Sequence, residues 1–183
     1  MASEFEAKRI GFPLHLSGGN ENQLIKIFKD VKKEDYIFST HRSHYHYLLK
    51  GGSEKELEKK IKDGKSMSLF DKKLNFLTSS IVAGVPSIAV GVAWALKQKG
   101  SNSHVWCFVG DAAEGLGHTY EAIRYADGWK LPITFVVEDN NMSVETPGEA
   151  RYGNNHMKWP KCVKRYSYNR IYPHVGSGKW VTF

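Results

Sequence analysis

The stretch Val105-Trp-Cys-Phe-Val-Gly-Asp-Ala-Ala-Glu-Gly-Leu-Gly117 runs from continuous apolar residues into a glycine, an acid and a string of small side chains. An apolar run of this length, bounded by turn formers, reads as a strand buried on both faces. Glu114 to Ala126 follows with Leu116, Tyr120, Ile123 and Ala126 at helical spacing, and Leu131-Pro-Ile-Thr-Phe-Val-Val137 reads as a second buried strand. Two such strands joined by one helix form a βαβ unit, which requires parallel strands. The expected fold is therefore α/β, a parallel sheet with helices on both faces. Ligands in such sheets sit beyond the carboxyl ends of the strands. That rule sets Gly110-Asp111-Ala112-Ala113 beside Glu138-Asp139-Asn140-Asn141.

Burying a carboxylate at the end of a strand is costly unless something neutralises it. A carboxylate and an amide oxygen delivered by neighbouring strands suit a hard cation. Magnesium fits, because it takes a few protein oxygens together with substrate phosphates. The small residues after Asp111 would let backbone N–H groups approach a phosphate. On local pattern alone a second reading stands level with this one: Asp111 caps the helix, and Asn140 and Asn141 make a turn.

Elsewhere, Leu24, Ile27, Phe28 and Val31 predict a helix over 22–31, and Tyr36-Ile-Phe38 a short strand. Ser53-Glu-Lys-Glu56 has capping-box spacing before Leu57 and Ile61, with Gly64 as the stop. Residues 65–80 read as a polar surface loop. Ile81 to Lys99 reads as a buried helix with Pro86 near its first turn, rich in small residues and ended by Gly100. Its apolar part, interrupted by Gly84, Pro86 and Gly91, falls short of the roughly 20 residues that span a bilayer.

The chain has 183 residues, of which 41% are hydrophobic, enough for one domain with a real core. With no charged-then-apolar leader, the expectation is a cytoplasmic protein. Cys107 and Cys162 form no close-spaced motif, which suits a reducing compartment. The same setting leaves the sequon Asn141-Met-Ser143 without meaning. The net charge of +7 is unevenly placed. Residues 1–150 balance, whereas Arg151, Lys158, Lys161, Lys164, Arg165, Arg170 and Lys179 have no acid among them. This divides the chain into a binding domain, 1–150, and a basic, aromatic C-terminal tail, 151–183.

Gly110-Asp111 followed after the next strand by Asn140-Asn141 resembles the thiamine diphosphate motif, which begins Gly-Asp-Gly and ends Asn-Asn. Gly11-Phe-Pro-Leu-His-Leu-Ser-Gly-Gly-Asn-Glu21, Tyr36-Ile-Phe-Ser-Thr-His-Arg-Ser-His44, Ile81-Val-Ala-Gly-Val-Pro86, Glu121-Ala122 and Trp129-Lys-Leu-Pro132 are similar to the alpha subunit of the 2-oxo acid dehydrogenase first component. They occur in that family's order from about residue 9 to about residue 150.

The resemblance implies a thiamine diphosphate-binding fold in which Asp111, the Asn140 side chain and the Met142 carbonyl ligate Mg2+. It places Ala112 and Ala113 at the diphosphate, and His41 and Arg42 at the phosphate end of the cofactor or the substrate. Ser80 and Val82 fall near the aminopyrimidine. His15 falls near the reacting carbon, with His44 as a further active-site residue. Ala112 stands where the motif has glycine, a cost if the backbone there needs positive φ. His41-Arg-Ser-His44-Tyr-His46 also admits a zinc reading, though no cysteine or acid nearby completes a tetrahedral set. His46 is read instead as packed or solvent-facing.

The resemblance further implies a separate pyrimidine-binding beta subunit that supplies the catalytic glutamate, with two copies of each subunit. The small-residue helix at 81–99 offers one contact surface for it. The reaction would be decarboxylation of a small 2-oxo acid, with the acyl or aldehyde unit passed to a lipoyl group or a carbonyl acceptor. Two alternatives stay open: the amino-terminal half of a split transketolase, and an assembly or regulatory subunit that keeps the fold without turnover. Gly176-Ser-Gly-Lys179 lacks the spacing and the Ser or Thr of a phosphate-binding P-loop. The basic, aromatic tail is read as docking on a partner or an anionic substrate, with single-stranded nucleic acid the minor alternative.

Overall fold

A computed structural model describes residues 1–153 and 157–181; the tail positions 154–156 and 182–183 lie outside the described residues. In chain order the elements are α1 (Ala2–Glu6), α2 (Glu21–Phe28), β1 (Tyr36–Ser39), α3 (His44–Leu49), α4 (Glu54–Lys62), β2 (Phe70–Asp71) and β3 (Phe76–Thr78). They continue with α5 (Pro86–Gln98), β4 (Val105–Gly110), α6 (Asp111–Glu114), α7 (Gly117–Gly128), β5 (Ile133–Asp139), β6 (Met142–Ser143), β7 (Thr146–Pro147), α8 (Gly148–Tyr152) and β8 (Val163–Ser167).

Six strands make one sheet in the order β2-β3-β1-β4-β5-β8. Every neighbouring pair is parallel except β2 with β3, and β6 and β7 form a separate antiparallel ribbon. The βαβ unit read from the sequence is β4-α7-β5. Side chains along β4 alternate between two cores, as a period of two requires. Val105, Cys107 and Val109 pack with α5, α7 and Ile133, Phe135 and Val137 of β5. Trp106 and Phe108 point the other way, into a core with Leu24 of α2, Tyr47 of α3 and Leu57 and Ile61 of α4. Helices thus cover both faces, as the doubly apolar strands demand.

One buried acid ties this second layer together. Asp35 is 1% exposed; its Oδ1 accepts from His104 N at 2.9 Å. Its Oδ2 accepts from Lys32 N at 2.9 Å and from the Trp106 indole at 3.1 Å. The α4 cap forms as its spacing predicts, with Glu56 N donating to Ser53 Oγ at 3.4 Å, and Gly64 after it takes φ +70°.

Four expectations change. Residues 65–80 are not all loop, because β2 and β3 lie there; strands of two and three residues are too short for a periodicity to show. The helix expected from Ile81 starts at Pro86, which fills its first position, because residues 81–85 form a turn with Ala83 at φ +54°. One side of that helix is buried, yet Ile88 on the other is 49% exposed. The helix expected from Glu114 is split at Gly115-Leu116, where Leu116 is extended and precedes α7.

Beyond residue 150 the chain rejoins the sheet. β8 pairs in parallel with β5, from Phe135 against Val163 to Asp139 against Ser167. Its mixed polar pattern is that of an edge strand with one side in solvent.

The topology also selects a place for a ligand. The connection from β1 leads to β3 on one side of it, and the connection from β3 returns through α5 to β4 on the other. Strand order reverses between β1 and β4, so the crevice beyond their carboxyl ends is the switch point at which α/β sheets bind ligands. β1 ends there in Ser39 and delivers Thr40, His41 and Arg42; β4 ends in Gly110 and delivers Asp111.

Candidate active site

The crevice holds a cavity of about 110 Å³. His41 and Arg42 line it from β1, Asp111, Ala112 and Ala113 from β4 and α6, Asn140 and Met142 from beyond β5, and Val82 from the turn before α5. A second, larger cavity of about 760 Å³ adjoins it, and Asp111, Asn140 and Tyr168 stand on the walls of both.

Asp111 follows Gly110, whose extended backbone (φ −80°, ψ 165°) turns the chain from strand into α6. Oδ1 of Asp111 accepts from Ala112 N at 2.8 Å. Oδ2 is buried and accepts no hydrogen bond among the described residues. Burial pushes this carboxyl up to about 6; the Ala112 N–H opposes the shift and the neighbouring Asp139 carboxylate adds to it. An orphaned carboxylate oxygen is what a bound cation would satisfy.

The other oxygen donors fit the same role. Asn140 Oδ1 accepts from Met142 N at 3.0 Å, which leaves it a lone pair. Met142 faces Pro147 in the β6–β7 ribbon, and proline has no N–H to offer the Met142 carbonyl. Asn141 does turn the chain, at φ +58°, so the turn reading and the ligand reading hold together on adjacent residues. Ala112 lies within α6, outside the left-handed region, so its methyl costs no backbone strain. Its N–H is already engaged by Asp111.

His15 lies beside the cavity, its ring 4.5 Å from that of His41 and 4.7 Å from that of His174. Burial lowers the pKa of all three, and His41 reaches about 3 with His15 and Arg42 adding to the effect. His44 opens α3, buried, with Nε2 unpartnered among the described residues; burial, then His15 and Arg42, takes it down to about 4. Ser80 is exposed and does not line the cavity.

The zinc reading of His41, His44 and His46 does not hold together. His46 is 1% exposed, its ring tilted against Phe108 with centroids 4.3 Å apart, and its Nδ1 lies 3.2 Å from Ser39 Oγ. Its Nε2 lies 3.3 Å from Glu138 Oε1, close but not aligned as a hydrogen bond. Glu138 is the centre of this second cluster: Asn20 Nδ2 donates to it at 3.0 Å, and so does the Tyr166 hydroxyl.

Tyr168, Arg170 and His174 also line the smaller cavity. Sequence reasoning missed them by treating residues past 150 as a tail. Arg170 donates to the Val144 carbonyl at 2.8 Å and to Glu145 at 2.7 Å. Arg42 donates to the carbonyls of Leu16 at 2.5 Å and His174 at 3.3 Å. Val144, β-branched yet at φ +59°, is held in a costly conformation on the cavity wall. The one signal that could have found this segment is its run of tyrosines and arginines after Val163.

The family model described as the dehydrogenase E1 component matches residues 1–158. Pyruvate dehydrogenase E1 component subunit alpha of Porphyra purpurea is 33% identical, over 76% of this chain and 45% of its own length. The proteins of the same name from Rickettsia prowazekii and Staphylococcus aureus are 32% and 31% identical, over 75% and 76% of this chain and 45% and 38% of theirs. The chain thus spans less than half the length of these relatives. Of the readings open from the sequence, the match falls on the dehydrogenase type. On the strength of a match that covers its strands β1 to β5 and the whole Asp111–Asn140 constellation, this chain belongs to the dehydrogenase E1 component family.

Proposed function

We propose that the chain binds the magnesium diphosphate end of thiamine diphosphate and acts, as an alpha subunit, on a small 2-oxo acid. The observation that carries this reading is Asp111 Oδ2, buried at the switch point of the sheet beside Asp139 and with no hydrogen-bond donor among the described residues. Asp111, Asn140 Oδ1 and the Met142 carbonyl would hold Mg2+, an oxygen set of the kind that ion prefers. Thiamine diphosphate supplies the electron sink for the pair released when a 2-oxo acid loses carbon dioxide. The protein's own part is placement. Ala113 in α6 would stand at the phosphate end, and Val82 near the pyrimidine. His15, His41 and His44, kept neutral by burial, would offer hydrogen bonds near the reacting centre, while Arg42 would present a fixed cation to the substrate carboxylate.

A beta subunit would supply the catalytic glutamate, in an assembly with two of each chain. Ile81 and Val82, 73% and 52% exposed beside the cavity, support that reading, because apolar side chains at the edge of a site favour cover by another surface. The acceptor of the acyl or aldehyde unit would be a lipoyl group or a carbonyl compound. No helix among the described residues is long and apolar enough to cross a membrane.

The test is titration of the protein with thiamine diphosphate and Mg2+, followed by carbon dioxide release from 2-oxo acids after purification with its native partner. Magnesium-dependent binding that Asp111→Ala abolishes, with 2-oxo acid turnover by the complex, is the expected result. Binding without turnover in the complex would favour the assembly role. No binding by either the lone chain or the complex would overturn the reading.

A further inference from the structure

The histidines at 15, 41 and 174 come from three distant segments, yet one ligand nitrogen from each lies within 4.8 Å of the other two. Their ring centroids are 4.5, 4.7 and 5.6 Å apart, and the rings meet edge to face. No carboxylate or thiol belongs to the group. From this geometry we propose that His15, His41 and His174 form a binding site for a transition-metal ion of the zinc class, with one coordination position left open.

Hydrogen bonding already sets one ligand in the required form. His15 Nδ1 lies 2.7 Å from the His174 carbonyl oxygen. A carbonyl only accepts, so the proton must be on Nδ1, and the Nε2 lone pair of the neutral ring faces away from that bond. An outer N–H bonded to a backbone carbonyl is the arrangement that orients metal-ligating histidines. The same carbonyl accepts from Arg42 at 3.3 Å, and His174 N donates to Glu145 Oε1 at 3.2 Å. The backbone of the third ligand is therefore held from both sides.

The donor chemistry selects the ion. Three neutral imidazoles suit zinc, copper or nickel, whereas magnesium wants oxygen. Three histidines with an open fourth position is the ligand count of a reactive zinc site, as opposed to a closed structural one. Zinc–nitrogen bonds of about 2.0–2.1 Å bring tetrahedral ligands to roughly 3.4 Å from one another. Side-chain rotation, with His174 on a loop, has to supply that closure. The Arg42 guanidinium beside the trio opposes a dication and favours an anion in the fourth position.

This site uses none of Asp111, Asn140 and Met142 and does not rest on the thiamine diphosphate reading; it does take His15 and His41, whose metal-bound nitrogens could then accept no proton or hydrogen bond from a substrate. The experiment is titration of chelator-stripped full chain with Zn2+ alone by calorimetry, and with Co2+ by visible absorption. One zinc per chain and an intense tetrahedral cobalt spectrum are expected. His174→Ala should weaken zinc binding by more than about 100-fold, beyond the 10–100-fold typical of an outer-shell partner, while Asp111→Ala leaves it unchanged. Absence of zinc binding overturns the proposal. So does a weak, octahedral cobalt spectrum from the unaltered chain, which needs no variant to fold. Zinc binding that survives His174→Ala but is lost in Asp111→Ala would place the ion at the oxygen site and overturn it equally.

Discussion

Gly19 and Asn169 touch backbone to backbone: a Cβ on Gly19 would lie 2.1 Å from the Asn169 carbonyl oxygen, and Gly19 itself sits at φ +97°. Gly18 next to it is also tightly covered, with the Tyr172 ring 3.2 Å from where its Cβ would be. The pair of glycines is thus the surface on which the 168–176 segment lies. Gly19→Ala should cost about 3 kcal/mol, from the overlap and the left-handed backbone together. Amide exchange should then rise at residues 168–176 ahead of the rest of the chain. A variant with an unchanged melting temperature would show that the segment does not seat on Gly19.

Asp111→Asn should separate stability from binding. The raised pKa means that the ionised carboxylate costs folding free energy above about pH 6. Discounted for its partial exposure, removing the charge should stabilise the ligand-free chain by about 1 kcal/mol. The same variant should show no melting shift with thiamine diphosphate and Mg2+, where the parent rises. A fall in ligand-free stability would mean that Asp111 has a compensating partner.

Acid should weaken the fold through its buried histidines. His44 is held neutral down to about pH 4, so below 6.5 the unfolded chain binds a proton that the folded chain does not. The His44 contribution is complete above pH 6.5 and is lost as pH falls toward its folded value, at about 1.4 kcal/mol per pH unit. By pH 5 that is about 2 kcal/mol. His44→Gln should flatten the stability profile between pH 7.5 and 5, read by denaturant unfolding. Parallel profiles for the two proteins would rule the contribution out.

Asp35→Ala should be among the most damaging single changes. It strands the Trp106 indole and two backbone N–H groups in the core, at about 1–3 kcal/mol for each donor left unpaired, of which relaxation and water recover part. A net loss of about 3 kcal/mol is expected from urea unfolding. Asp35→Asn, which keeps both oxygen and shape on one side, should lose less.

How much of this was legible depends on how strongly each element repeats. β4, β5 and α7 could be read because their apolar runs and helical spacing are long, and Asp111 stood out because it follows one of those runs. The ordered motifs then brought His41, Arg42, Asn140 and Met142 to one cavity, where the structure has them. β8 was illegible for the opposite reason: Val163-Lys-Arg-Tyr-Ser167 exposes one side and mixes charge with aromatics, so it carries no burial pattern. His174 sits among Pro173, Val175 and Gly176 with no spacing to mark it. Its role arises only from a bridge between His15 and Gly176, a contact that no local window contains. Ala83 hid the true start of α5, since nothing in an apolar run signals a left-handed residue.

The place of β8 at the edge of the sheet also orders events during synthesis. A ribosome makes β4 and β5 before the strand that covers β5, so Phe135 to Asp139 present unpaired backbone until Val163 to Ser167 emerge. Open parallel edges of apolar strands are the hazard for which nascent chains need protection. The His15–His174 bond spans 159 residues, so its loop-closure cost falls due only after His174 has emerged, well after β4 and β5. Chaperone dependence in vivo, and slow acquisition of the completed crevice after the sheet has formed, follow from that order.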